Sequence, residues 1–153
     1  MSDWASTERI PARVILAEGI HVEGELHVQA RVGLHEGPET VLEMLNRTDH
    51  FFPVSIPDGG VAFAAKSQVA VVVCAAGIGM TDPERVGAAK TVNLEVGMAG
   101  GAEYRGWATI ELPPSRARAL DYLNAAGLFF VLRSHESTWL INRTYVRGVR
   151  PLD

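Results

Sequence analysis

Cysteine is almost absent from this sequence. The single one, Cys74, cannot form a disulfide within the chain, and it lies in the apolar run 71–76. A cysteine in such a run behaves as a small buried hydrophobic residue rather than as a reactive thiol. A chain of 153 residues can also bury enough surface to fold without disulfides or a structural metal. We therefore expect a folded protein of a reducing compartment, the cytoplasm.

Long apolar runs and an excess of basic residues are also lacking. No apolar run reaches the roughly 18 residues of a membrane span, and residues 1–8 have neither the basic nor the apolar segment of a signal peptide. Lysine and arginine total 14 against 18 acidic residues, a net charge of −4. Proteins that bind nucleic acid through its phosphates usually carry the opposite balance. The composition therefore predicts no membrane association and disfavours nucleic acid as a partner.

The most informative feature that is present is an internal repeat. The segment Val41–Asn46 aligns with Ala119–Asn124, and at the same offset of 78 residues Phe51 falls on Phe129. Earlier in the chain the alignment is less simple. Val14 keeps the offset with Val92, whereas Gly24 aligns with Gly106 only if the second copy has a longer early loop. Insertions of this kind are well tolerated in loops.

The repeats span residues 10–74 and 88–150, and a Gly-rich linker, residues 75–87, joins them. Each repeat is predicted to contain two strands, a short helix and two or three further strands. Apolar and polar residues alternate from His21 onwards, which is typical of a strand with one face in water. Gly24, inside that strand, predicts a sharp bend. We therefore predict a mainly β protein made of two tandem, similar β-barrel-like modules, each with about five strands and one short helix.

Two motifs of the second copy carry a resemblance to a known family. They are Leu120–Asn124 and Ile141–Val146, separated by a Phe-rich strand. This order resembles a bacterial domain family of unknown function, here duplicated, and the strand pattern is similar to that of small barrels of the Sm and SH3 type. The first copy lacks the last motif and has Ala65–Val69 in its place. The resemblance implies a small-barrel fold and, as a fold analogy, no particular activity.

Four potential metal ligands lie close together in the sequence. His21, Glu23, Glu25 and His27 alternate along one predicted strand face, and all four are ligand types. However, six residues of strand separate the two histidines by about 20 Å, which is too far for one ion. We therefore predict a solvated polar face and no metal site.

Sequence patterns of catalysis are not found. Ser67, Ser134 and Ser137 lie outside any G-x-S-x-G motif. Gly77 and Gly79 follow an apolar strand but lack the third glycine of a dinucleotide fingerprint. We therefore predict that the protein is not an enzyme and has no cofactor.

Two Arg-x-x-x-Arg spacings suggest an alternative function. Arg9 with Arg13, and Arg143 with Arg147, are similar to the arginine half of the motif by which PilZ-type barrels bind cyclic diguanylate. Guanidinium groups suit phosphates because they donate two parallel hydrogen bonds. The other half of that motif, Asp/Asn-x-Ser-x-x-Gly, is absent. Binding of a small ligand such as a cyclic dinucleotide, or of RNA, is the alternative to a protein partner.

The second copy carries a predicted partner-binding surface. By alternation, Arg105 and Trp107 point outward on one strand, unless the other half covers the tryptophan. We expect Arg143, Tyr145 and Arg147 to share one face of the last strand. Arginine and aromatic residues on rigid strands are frequent anchors of protein interfaces, although a solubilising edge strand would explain the arginines as well.

The charge distribution supports a particular mode of association. Residues 1–80 contain five basic and ten acidic side chains, a net charge of −5, whereas residues 81–153 contain nine and eight, a net charge of +1. The leading hypothesis is a non-enzymatic cytoplasmic binding or assembly module that engages a protein partner. A second copy of the chain, bound head to tail to form a homo-oligomer, would suit these charges.

Overall fold

The computed structural model describes residues 7–29, 39–78, 90–110, 118–125 and 127–152. Over these residues the protein is mainly β, with ten strands in one open antiparallel sheet and two short helices. None of the helices in these ranges is long and apolar enough to cross a membrane.

Within the described ranges, each half of the chain contributes five strands and one α-helix. The first half contains β1 (Thr7–Leu16), β2 (His21–Gln29), α1 (Val41–Asn46), β3 (Phe51–Ser55), β4 (Val61–Ala65) and β5 (Val69–Ala75). The second half contains β6 (Lys90–Met98), β7 (Glu103–Ile110), α2 (Ala119–Leu123), β8 (Phe129–Arg133), β9 (Ser137–Asn142) and β10 (Val146–Pro151). A 3-10 turn precedes the last strand of each half, at Lys66–Gln68 and Arg143–Tyr145.

Strand order is the same in the two halves. The whole sheet runs β10-β6-β7-β8-β9-β5-β1-β2-β3-β4. The first half contributes β5-β1-β2-β3-β4, and the second contributes β10-β6-β7-β8-β9, so each strand has its counterpart at the same place. Two separate barrels are not confirmed, because within the described ranges the sheet stays open and β4 and β10 form its two ends.

The strand register identifies the equivalent residues of the two copies. Gly24 lies opposite Ala12, and Gly106 lies opposite Leu94, so the first two strands of the copies are offset by 82 residues. The predicted pairing of Gly24 with Gly106 is therefore correct. The offset of 78 for Val14 is wrong, because its counterpart at an offset of 82 is Val96. The extra residues of the second copy accordingly do not lie in its first hairpin loop.

The two glycines have a shared physical role. A Cβ atom on Gly24 would lie 2.3 Å from the carbonyl oxygen of Ser55, and one on Gly106 would lie 2.1 Å from that of Arg133. In each half the second strand therefore passes close to the backbone at the end of the third strand, and only glycine leaves room for this approach. The close approach explains the glycine at both positions, and the sharp bend at Gly24 stays a prediction.

Helix α1 begins with a capping box and is anchored in the core. The Thr40 side chain accepts a hydrogen bond from the Glu43 backbone N–H, and the Glu43 carboxylate accepts one from Thr40. Met44 and Leu45 are buried together with Phe129 of the second half. The core of the first half therefore extends across the boundary between the halves. The sequence predicts that the helix of the second half begins at residues 113–115, where two prolines precede a serine cap, and these residues lie outside the described ones.

The linker prediction concerns residues that the structure covers only in part. Strand β5 extends to Ala75, and a turn follows in which Gly77 has a φ of 86°. This left-handed conformation favours glycine. Residues 79–87 of the predicted linker lie outside the described ranges.

Candidate functional site

Arg105 is paired with an acidic residue on the neighbouring strand. Its Nε lies 2.6 Å from Glu95 Oε2, and the other carboxylate oxygen lies 2.9 Å from a terminal nitrogen of Arg150. The hydrogen bond from Arg105 lowers the pKa of Glu95. The three side chains form a ladder across β7, β6 and β10 with one positive charge in excess.

Trp107 lies beside this ladder and contacts a histidine. The centroids of the Trp107 and His135 rings are 5.2 Å apart, at an interplanar angle of 59°. Both rings line a shallow depression of about 440 Å³, together with Arg105 and Leu152. The structure therefore brings the predicted pair Arg105 and Trp107 together on one surface.

Arg143 does not lie on a strand face, contrary to the sequence-based interpretation. It is the first residue of the second 3-10 turn, and its guanidinium group reaches back to the end of α2. There it donates to the carbonyl oxygens of Leu123 at 2.8 Å and Tyr122 at 3.2 Å, and also to that of Gly127. The group lies over the ring of Phe130, 5.2 Å from its centroid. Arg143 therefore holds the helix end in place.

Tyr145 and Arg147 do not share a face either. Tyr145 ends the 3-10 turn, and its hydroxyl donates to the carbonyl oxygen of Ser67 in the first half. Arg147 lies on β10 and is exposed. A pattern with a period of two requires extended backbone, and the turn at residues 143–145 breaks it. Of the three residues predicted on this strand, only Arg147 is an exposed side chain of β10.

His27 is buried, although the alternation placed it on a solvated face. Its Nδ1 lies 3.0 Å from the Thr7 hydroxyl oxygen on β1, and its Nε2 lies 2.7 Å from the Ser55 hydroxyl oxygen on β3. His21, at the start of the same strand, is exposed. The prediction of a shared wet face was therefore wrong for His27. Within the described ranges no group of three metal-ligating side chains is found.

Burial makes stability depend on the protonation of His27. Desolvation lowers its pKa below the usual value near 6.5, and the positive charge of Arg9 adds to this effect. The folded protein therefore binds fewer protons than the unfolded chain in slightly acidic solution. We expect the contribution of His27 to the free energy of unfolding to be constant above that value and to fall as the pH decreases through it, by up to about 1.4 kcal/mol per pH unit.

Urea titrations at about pH 7.5 and about pH 5.5 test this prediction. The loss of stability between the two conditions should be smaller in His27→Gln than in wild type. His21→Gln, which changes an exposed histidine of the same strand, should keep the wild-type loss. An equal loss in wild type and His27→Gln would contradict the prediction.

The buried thiol is unsuited to nucleophilic chemistry. Cys74 lies in the core, and burial raises its pKa to about 12. The thiolate, which is the nucleophilic form, is therefore scarce at neutral pH. This agrees with the inert role predicted from the sequence.

Sequence reasoning missed a group of exposed apolar side chains at the β4 end of the sheet. Phe51 on β3 and Val61 and Phe63 on β4 have exposed fractions of 59%, 47% and 66%. A second group lies at the other end, where Leu120 of α2 is 61% exposed and Leu152 follows β10. The sequence signal that could have revealed the first group is that Phe51, Val61 and Phe63 are apolar at alternate positions on the outward side of β3 and β4, and β4 is the end strand of the described sheet.

Comparisons with protein-family models, with curated proteins and with solved structures find no match for this chain.

Proposed function

We propose that this protein is a non-enzymatic assembly module of the cytoplasm that engages a protein partner. The observation that carries the proposal is the apolar β4 end, which consists of Phe51, Val61 and Phe63. Strand β4 is the last strand of the sheet in the described part of the chain. A sheet edge with apolar side chains is a template for pairing with another chain.

The proposed partner surface differs from the one that the sequence predicts. Arg143 and Tyr145 make contacts within the chain, so we leave them out of it. Arg105, Trp107 and Arg147 are kept as a polar region that borders the opposite end of the sheet, at β10. The finer architecture that we propose is two similar modules, each built around one set of five strands.

Ligand binding through the first arginine pair has less support. Arg9 lies 3.6 Å from a carboxylate oxygen of Glu25, and Arg13 lies 3.2 Å from one of Glu23. These carboxylates offset the positive charge that a phosphate would need. Binding of RNA or of a cyclic dinucleotide is therefore an outcome of the following test and not a second proposal.

The test uses immobilised wild-type protein as bait. The bait is exposed to a cell lysate to which an excess of the same protein, free in solution, has been added, so that self-association is detected as well. We expect at least one protein, this chain included, to be retained by wild type and lost with Phe51→Asp, because a charge on the apolar end opposes burial. Ile20→Asp is the control, since Ile20 is 54% exposed and lies in the β1–β2 loop. Both variants should melt close to wild type because both side chains are exposed.

Two results would count against the proposed function. One is that wild type retains no protein. The other is that Phe51→Asp retains the same proteins as wild type. Retention of RNA in place of protein, detected by nuclease treatment of the eluate, would favour the alternative function.

A further inference from the structure

We infer that the partner is a second copy of this chain, bound head to tail, with the β4 end of one copy against β10 and α2 of the next. This inference rests on the proposed function and names its partner. It starts from the internal junction, which is the contact between the two halves of one chain where β5 pairs with β9.

The internal junction joins a fifth strand to a fourth strand. Strand β5, the fifth of the first half, pairs antiparallel with β9, the fourth of the second half, and Val72 lies opposite Leu140. The two strands left at the ends of the sheet are β4, a fourth strand, and β10, a fifth strand. A second copy can therefore repeat the same junction by placing its β4 against β10.

A helix completes the internal junction. At the end of α1, the Asn46 side chain accepts a hydrogen bond from the Phe129 backbone N–H at 2.8 Å and donates one to its carbonyl oxygen at 3.1 Å. Asn46 thus holds the first residue of β8, in the other half of the chain. Its counterpart in the repeat is Asn124, which follows α2 and is exposed. The counterpart of Phe129 is Phe51, the first residue of β3.

The same positions are covered at the internal junction and exposed at the ends. Phe129 and Leu140 are 1% and 2% exposed, because β5 and α1 pack over them. Their counterparts Phe51 and Phe63 are more than half exposed. On the opposite side, Leu42 of α1 packs against the core, whereas its counterpart Leu120 is largely exposed. The two apolar ends are therefore the two sides of one repeated interface.

The repeat also predicts the register between copies. Strands β4 and β5 are related to β9 and β10 by an offset of 77 residues, because the 3-10 turns begin at Lys66 and Arg143. The internal pairs Val71–Ile141, Val72–Leu140 and Val73–Trp139 then become Gly148–Ala64, Val149–Phe63 and Arg150–Ala62 between copies. Pro151 has no N–H to donate, so we expect the pairing to end after Arg150.

Charge favours this arrangement. The first half carries a net charge of −5 and the second +1, and head-to-tail binding brings unlike halves together. Arg147 and Arg150 on β10 would face the acidic half, so salt should weaken the association. Because the two surfaces differ, the contact is not self-complementary, and repetition leads to a ring or a filament rather than a symmetric dimer.

Two variants that each block one end test the inference. Phe51→Asp blocks the β4 end, and Leu120→Asp blocks the α2 and β10 end. We expect wild type to form assemblies larger than a dimer in light scattering, and each variant alone to have the monomer mass of 16.5 kDa. An equimolar mixture should form a one-to-one complex, because each variant retains the end that the other lacks. Ile20→Asp should assemble like wild type.

Asn124 offers a finer test of the same geometry. Asn124→Ala removes both hydrogen bonds that we infer to the Phe51 backbone of the next copy. We expect it to raise the dissociation constant of the one-to-one complex by about tenfold when it is introduced into the Phe51→Asp chain. An unchanged dissociation constant would overturn the inferred register.

Three other results would overturn the inference, and the bait experiment then shows whether the proposed function fails with it. They are a monomeric wild type, a variant that dimerises by itself, and a mixture that stays monomeric. If a different protein is still retained by the wild-type bait and lost with Phe51→Asp, the proposed function stands and only the inferred partner is wrong. If no protein is retained, both fail.

Discussion

Replacing Gly106 with alanine should lower the free energy of unfolding by about 2–3 kcal/mol. The new Cβ atom would lie 2.1 Å from the Arg133 carbonyl oxygen and 2.9 Å from its carbonyl carbon. Both are backbone atoms, so a change of rotamer cannot relieve the clash. Strands β7 and β8 would have to separate where Trp107 lies opposite Arg133. The contacts between β7 and β8 at this pair of residues would be lost.

Thermal and urea unfolding measure this loss. For a chain of this size, we expect the Tm of Gly106→Ala to fall by roughly 4–12 °C. Gly24→Ala should behave similarly, because its Cβ would lie 2.3 Å from the Ser55 carbonyl oxygen. Gly100→Ala is the control, since no atom outside the adjoining residues lies within 4 Å of the position of its Cβ. If Gly106→Ala and Gly100→Ala unfold alike, the close approach does not constrain the fold.

Replacing Arg143 with methionine should cost about 2–4 kcal/mol of stability. Methionine keeps much of the apolar stem but removes the donors that satisfy the carbonyl oxygens at the end of α2. The carbonyl oxygen of Leu123 would lose the hydrogen bond from Arg143, that of Tyr122 would keep its backbone partner Ala125, and the contact with the Phe130 ring would change. Positive charge at the end of a helix is also favourable, and this contribution would be lost.

Arg147→Met is the matched control for this substitution. Arg147 lies four residues further along and is exposed, so its replacement should change the free energy of unfolding by less than about 0.5 kcal/mol. Urea unfolding of both variants at low protein concentration gives the comparison. Equal stability of the two variants would support the sequence-based interpretation, in which both arginines belong to a partner surface.

In the first half, a lysine makes the equivalent contact with the end of the helix. The buried ammonium group of Lys66 donates to the carbonyl oxygens of Met44 at 3.1 Å and Arg47 at 3.0 Å, at the end of α1. Burial lowers the pKa of Lys66. Lys66 and Arg143 each begin the 3-10 turn of their half, so the repeat preserves a contact as well as a strand order. Neither contact was predicted, because Arg143 was assigned to a partner surface and Lys66 was given no role.

Several features of the fold could be predicted because they depend on nearby residues. The turn at residues 57–60 is rich in proline and glycine and joins apolar segments, which is the pattern of a hairpin. The structure places β3 and β4 on either side of it. Gly24 and Gly106 were identified by their position in an alternating pattern, and the close backbone approach explains why no side chain is present there.

Predictions failed where the backbone or the neighbours departed from an assumed regularity. Arg143 and Tyr145 were assigned to a strand face by a period of two, but they lie in a 3-10 turn, whose period is about three. His27 was assigned to water because it alternates with apolar residues. Alternation indicates which face a side chain occupies, and it carries no information about what covers that face.

The sequence alone determined the β-rich class, the duplication and the glycine positions, because periodicity, turn chemistry and self-similarity act over short distances. The tertiary structure alone decided that β5 pairs with β9 and that the halves form one sheet. Strand pairing brings residues together that are about 70 positions apart, such as Val71 and Ile141, at an entropic cost that no local pattern records. Only this pairing leaves β4 and β10 at the ends, and it therefore decides which apolar side chains remain exposed.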